Sequence, residues 1–285
     1  MIIFVFIIFT TKMNKPVYKL LDWIDVNKLK YDWLSSNENA IELLKANPDK
    51  INWFMLSENP NAIELLKANQ YKIDWDCLSF NRNAIELLKE NPDKINWEYL
   101  SFNRNAIELL KENPDKINWG LLSRNSNCIE LLKANQDKIC WDYLSKNSNN
   151  EAIKLLKANP DKIDWVYLSS NKNAIELLAL NKNKINWVCL SSNENAIELL
   201  KANQDKIDWF ALSANPNAIE LLKANQDKIN WIWFSLNPSI FKLDYKQIEI
   251  NFETLAEEII AKALNPNRIK QLSIIYNFEF KNWFD

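Results

Sequence analysis

The chain has 285 residues, 47% of them apolar and 25% charged, with a formal net charge of −2, which is the chemistry of a folded chain rather than a disordered one. One glycine (Gly120) and no histidine exclude a glycine-rich phosphate loop and remove the commonest general base and metal ligand. Near neutrality argues against a nucleic-acid partner, which would need a basic face.

Residues 1–12, MIIFVFIIFTTK, form an apolar run of about ten residues, half of the roughly 20 that a membrane span requires. A positive leader and a small-residue cleavage site are not evident. The expected reading is an upstream start, with Met13 opening the protein proper; a membrane anchor, a targeting segment or a helix on the first repeat are the alternatives. Residues 13–32 read as an N-terminal cap. Leu20, Leu21, Trp23, Ile24 and Leu29 would cover the open end of the first layer, with Lys15, Lys19, Lys28 and Lys30 in water.

Residues 33–237 are a repeat. Trp33, Trp53, Trp75, Trp97, Trp119, Trp141, Trp165, Trp187, Trp209 and Trp231 follow one another at intervals of 20, then 22 four times, then 24, then 22 three times. A fixed period of this length is the mark of a repeat array. In the copy from Trp97 to Asn118, Asn105 to Lys111 reads as a short helix, with Asn105 as N-cap and Glu108 completing a capping box. Asn113-Pro114 is a stop, with Asn113 expected in the left-handed region. Asn118 can cap a second short helix through Trp119, Leu122 and Ser123. The first unit, counted from Trp33, lacks two residues, and the unit from Trp141 carries two extra near Ser148-Asn149-Asn150-Glu151. Both changes are expected in the loop between the two helices.

Burying the seven apolar side chains of one unit yields about 14 kcal/mol. Ordering 22 residues of backbone costs about 20–40 kcal/mol. One unit cannot stand alone, and neighbours must share a continuous core. At about 8–10 Å per layer, ten layers would make a rod or arc of about 90 Å. Asparagine and serine at fixed offsets are expected to form hydrogen-bonded ladders between layers. Residues 238–285 read as a helical C-terminal cap. Phe252–Leu264 would be an amphipathic helix with Leu255, Ile259, Ile260 and Leu264 on one side, a last helix would run through Arg268–Leu272, and Phe278–Asp285 would trail off. The fold class is therefore all-α: an α-solenoid of about ten 22-residue repeats of two short helices, between helical caps.

Cys77, Cys128, Cys140 and Cys189 form no C-x-x-C pair. They read as small apolar residues in a reducing compartment; a zinc site or disulfide framework is the other reading. The glutamate of each helix is a capping residue repeated, not a catalytic set, and no cofactor is expected. Function is expected where the copies differ. The middle units place Phe80, Phe102, Arg124 and Lys146 at one repeat position, beside Arg82 and Arg104. Exposed aromatics next to arginine are common at protein interfaces, so these six residues are the candidate partner-binding edge. Residues 80–97 and 102–119 are identical, however, so duplication alone would also pair them.

LLDWIDVNKL, the copies of W-x-x-L-S-x-N-x-N-A-I-E-L-L-K-A-N-x-D-K-I-N, NPSIFKLDY and AKALNPNRI resemble the repeat proteins of giant DNA viruses that infect amoebae and algae, over residues 13 to about 272. The resemblance implies a viral product made in the cytoplasm of an infected host cell, with the virion as another location. The family carries no established activity. The expectation is a non-enzymatic scaffold that binds a host or viral protein, the alternative being a self-assembling component of the virion or virus factory.

Overall fold

A computed structural model describes residues 17–263 and 265. The expectations for residues 1–12, for the start at Met13, for the Arg268–Leu272 helix and for Phe278–Asp285 lie outside the described residues. The chain divides into two compact units, Leu20–Phe241 and the segments flanking it.

Leu20–Phe241 is an all-α repeat solenoid. One copy contains a helix Trp97–Leu100, a helix Ile107–Glu112 and a 3₁₀ turn Pro114–Lys116. The Trp-headed helices start as the sequence suggests: the Asn118 side chain accepts from the amide of Leu121 at 3.0 Å. The Ile-headed helices do not. Their N-cap position is Ala106, without a side-chain cap. Asn105 is engaged elsewhere, and Glu108 pairs with Lys111 at 2.9 Å instead of closing a capping box. Asn113 lies at φ −132°, outside the left-handed region. It stops the helix by donating from Nδ2 to the Leu109 carbonyl at 2.9 Å.

Layers are joined by a buried polar ladder. Asn125 donates both Nδ2 hydrogens to the layer before, to Ser101 O at 3.1 Å and Asn103 O at 3.0 Å. Its Oδ1 accepts from the Asn127 amide at 3.1 Å. An asparagine side chain has two donors and an acceptor, and all three functions are used; aspartate lacks the donors. The outer rung runs from Asn127 Nδ2 to Arg104 O at 2.9 Å. Each buried serine works both ways. Ser101 Oγ donates to Trp97 O at 2.8 Å and accepts from the Asn118 amide at 2.9 Å. Among the described residues no buried side-chain nitrogen or oxygen lacks a partner. Burying so many polar groups is affordable only under that condition.

A second ladder is made of cation–π contacts. Lys94 Nζ lies 4.4 Å from the centre of the Trp75 ring, and Lys116 stands over Trp97 in the same way. The pattern corrects the register of the first unit. Lys50 stands over Tyr31 at 4.6 Å, so Tyr31 occupies the tryptophan position and Trp33 lies two residues further on. Counted from Tyr31, the first unit is a full 22 residues, and nothing is missing from it.

The expected rod or arc does not form, because the array closes. Asn37 of the first layer donates to Ser235 O and Asn237 O of the last, both at 2.9 Å. Asn39 Nδ2 reaches Pro238 O at 2.9 Å. The Lys30 amide donates to Ser235 Oγ at 2.9 Å, and Lys28 stands over Trp231 at 5.1 Å. These are the same bonds that join interior layers. The tenth layer is thus composite: Trp231–Leu236 and Pro238–Ile240 come from one end of the array, and the Val26–Lys28 turn with buried Ile24 and Leu29 from the other. Residues 20–32 therefore complete a layer rather than cover an open face.

The two extra residues of the Trp141 unit do lie between its helices, but they are helical. They lengthen the second helix to Asn150–Ala158, capped by Asn149. Outside the array, Tyr18–Leu20 pairs with Phe241–Leu243 in a small sheet. The Asp244 amide donates to Val17 O at 2.8 Å, and Lys19 meets the Asp244 carboxylate at 3.6 Å. A helix follows from Tyr245 to Ala263, beginning seven residues before the expected Phe252.

Candidate functional site

Within a closed ring, the elements packed closer together must lie on the inside. Most Trp-headed helices of adjacent layers pack directly on one another, including Tyr31–Leu34 on Trp231–Leu236, whereas adjacent Ile-headed helices make less contact with each other. The inner wall is therefore the face of each Trp-headed helix left free by its buried leucine and serine. Three repeat positions supply it: the two residues after the tryptophan and the residue between the serine and the ladder asparagine. The residue just after that asparagine joins them.

All six candidate residues lie on this wall, not on an edge of a stack. Glu58, Pro60, Phe80, Arg82, Phe102 and Arg104 line one hollow of about 250 Å³. Phe102 and Arg104 continue into a second, of about 230 Å³, with Arg124, Lys146, Lys172 and Glu194. This second hollow draws on successive layers as far as Pro216, which only a concave surface permits.

The aromatic part is a chain of rings. Phe80 packs on Phe102 with centroids 5.0 Å apart and on Tyr99 at 5.4 Å. The Arg124 guanidinium covers Phe102 at 4.6 Å, a favourable cation–π arrangement. Arg82 is held by Glu38 at 2.6 Å, across two layers, and Lys172 by Glu194 at 2.7 Å. Burial holds Arg124 below its ordinary range, with Arg104 adding to the effect against the neighbouring tyrosines. Burial, followed by the charge of Arg124, lowers Lys146. Burial raises Glu58 despite a hydrogen bond from Ser36.

Glu38 and Tyr99 were not among the candidate residues. Glu38 stands in the same 22-residue column as Arg82 and Arg104, whereas Tyr99 stands in the column of Cys77 and Tyr143, which holds no candidate residue; reading every column around the ring would have found both. The remaining inner wall is apolar over a long arc, where Val166, Val188, Phe210 and Ile232 are exposed in successive layers.

The four cysteines are free and scattered. Burial pushes the Cys77 thiol up to about 12, helped by Asp74, and the Cys128 thiol up to about 11; thiols so raised are poor nucleophiles. Among the described residues no group of histidine, cysteine, aspartate or glutamate is placed to hold a metal ion, and no helix is long and apolar enough to cross a membrane. What the wall offers is aromatic faces, guanidinium groups and carboxylates at fixed spacing.

Fold and site together define a class: a closed all-α repeat ring with much of its copy-to-copy variation on and beside the Trp-headed helices. No protein-family model, no curated protein and no solved structure matches the chain.

Proposed function

We propose that the chain is a non-enzymatic scaffold that holds a protein partner, host or viral, against the inner wall of its ring. The observation that carries this is the division of labour within the repeat. Leucine, alanine, serine and asparagine of each unit are consumed in core and ladder. The positions that change from copy to copy on and beside the Trp-headed helices carry Phe80, Phe102, Arg104 and Arg124 into the two hollows. Rings and guanidinium groups at the centre of a concave surface are the usual anchors of a protein interface. The resemblance to giant-virus repeat proteins favours the cytoplasm of an infected cell as the setting.

Affinity capture of the full chain from infected host lysate tests the reading, run beside Phe80→Ala/Phe102→Ala/Arg104→Ala. The expected result is a partner held by the wild type and released by the variant. Equal capture by both would remove the inner wall as the docking surface. Self-assembly into a virion or factory component is the weaker reading, since end-to-end stacking needs an open terminal layer and closure consumes both. Sedimentation that shifts with protein concentration would favour it.

A further inference from the structure

Charge on the inner wall is unevenly balanced. Arg82 and Lys172 each have a carboxylate, from Glu38 and Glu194. Between them, Arg104, Arg124 and Lys146 line the hollow of about 230 Å³, and none of the three has a carboxylate within ion-pair distance among the described residues. They come from three successive layers, and Arg124 and Lys146 are only partly exposed. Bringing like charges together away from water is unfavourable.

The fold does not require it. At the position of Arg124 and Lys146 the next layers carry Ser170, Ser192 and Ala214 with the same ladder bonds. The Arg124 guanidinium carbon lies over the Phe102 ring at 4.6 Å, and a guanidinium placed over a ring face still has N–H donors to offer an anion.

We propose that this hollow is a binding site for a small polyanion of the diphosphate type, held by Arg104, Arg124 and Lys146. Charge selects that class. Three unbalanced cations exceed what one carboxylate can offset, whereas a single phosphoryl group brings about −1.5 to −2 at pH 7 and two linked groups bring more. Size agrees, because the hollow is smaller than the roughly 300–1,000 Å³ of sites for drug-sized ligands. The site shares residues with the proposed partner surface but requires no protein partner, so the two readings stand or fall separately.

The test is calorimetric titration of the full chain with sodium pyrophosphate, with orthophosphate, acetate and ADP as comparison ligands. The expected result is saturable one-to-one binding in the order pyrophosphate, orthophosphate, acetate. Binding of ADP as tight as pyrophosphate would identify a nucleotide as the source of the diphosphate, and weaker binding a free one. Lys146→Gln and Arg124→Gln should each weaken binding by about tenfold or more, the scale of one lost charge-assisted hydrogen bond. Lys111→Gln, on a lysine paired with Glu108 on an Ile-headed helix, should leave it unchanged.

Thermal unfolding guards against misfolded variants. Pyrophosphate should raise the melting temperature of the wild type. Lys146→Gln, relieved of repulsion, should begin at or above the wild-type value and gain less at the same pyrophosphate concentration. No saturable binding, equal binding of acetate and pyrophosphate, or an equal loss in Lys111→Gln would overturn the proposal.

Discussion

Single residues in this ring are easy to compare because each has counterparts in the other layers. Cys140 stands where the neighbouring units place Asn118 and Asp164, both of which cap a Trp-headed helix. Its own helix has no side-chain cap. Cys140→Asn should therefore stabilise the protein by about 1 kcal/mol, read as a higher urea midpoint at constant slope. The raised thiols make a second expectation. Iodoacetamide at pH 8.5 should spare Cys77 and Cys128 in the native protein and label them only after unfolding. Glu58 gives a pH effect with a definite sign. Because burial raises its folded pKa, the folded chain keeps that proton to higher pH than the unfolded chain does. Its contribution is most favourable at low pH and is lost as pH rises through the raised value. Glu58→Gln should consequently exceed wild-type stability at pH 7. The two should converge near pH 3, below the ordinary glutamate pKa of about 4.3.

Among the elements, the asparagine ladder carries the most. Removing the Asn125 amide takes the side-chain donor from Ser101 O, one of two donors from Asn103 O, which keeps the Ala106 amide, and the acceptor from the Asn127 N–H. Asn125→Ala should cost about 2–4 kcal/mol, measured by urea unfolding. Much at this scale was legible in the sequence. The period gave the layers, Asn118 gave one helix start, and asparagine and serine at fixed offsets gave the ladders. The start of the Ile-headed helix was misplaced because asparagine is a good N-cap in isolation, and nothing local reveals that Asn105 donates to Arg82 of the layer before. The first unit was misread because Trp33 is a tryptophan two positions out of register. The Lys-Leu-Lys-Tyr of residues 28–31 repeats the chemistry of Lys-Ile-Asn-Trp at residues 50–53, and that was the available clue. The two-residue insertion illustrates a local compensation. Lys154 stands where other copies have glutamate, and Glu151, one turn earlier, pairs with it at 2.6 Å.

At the scale of the whole molecule, closure was not legible, and neither was the hollow it creates. Whether an array closes depends on the rotation between layers, set by how much closer the inner helices pack than the outer ones. That difference is summed over every side chain and is not written in any one of them. The candidate residues were found as a column, but their convergence on a concave wall required the ring. Closure has a direct test. In an open array, an end layer frays and its ladder matters less than an interior one. Here Asn37 makes the same bonds across the seam that Asn125 makes in the middle. Asn37→Ala and Asn125→Ala should thus destabilise equally, to within about 1 kcal/mol. A much smaller effect at Asn37 would mean that the seam opens in solution.

The closed seam also constrains how such a gene can change length. Tandem repeats gain and lose copies readily, and the identity of residues 80–97 with 102–119 is the trace of such an event. An open solenoid accepts one copy more or fewer with little consequence, since its ends move freely. A ring has no free end to absorb the difference. Excising residues 98–119 would restore every local junction in sequence, yet it would require each remaining layer to turn further or the seam to part. A two-residue insertion inside a layer is absorbed by one helix; a whole extra layer is a change in circumference. Copy number in this chain is therefore a geometric quantity, fixed by the angle between neighbours.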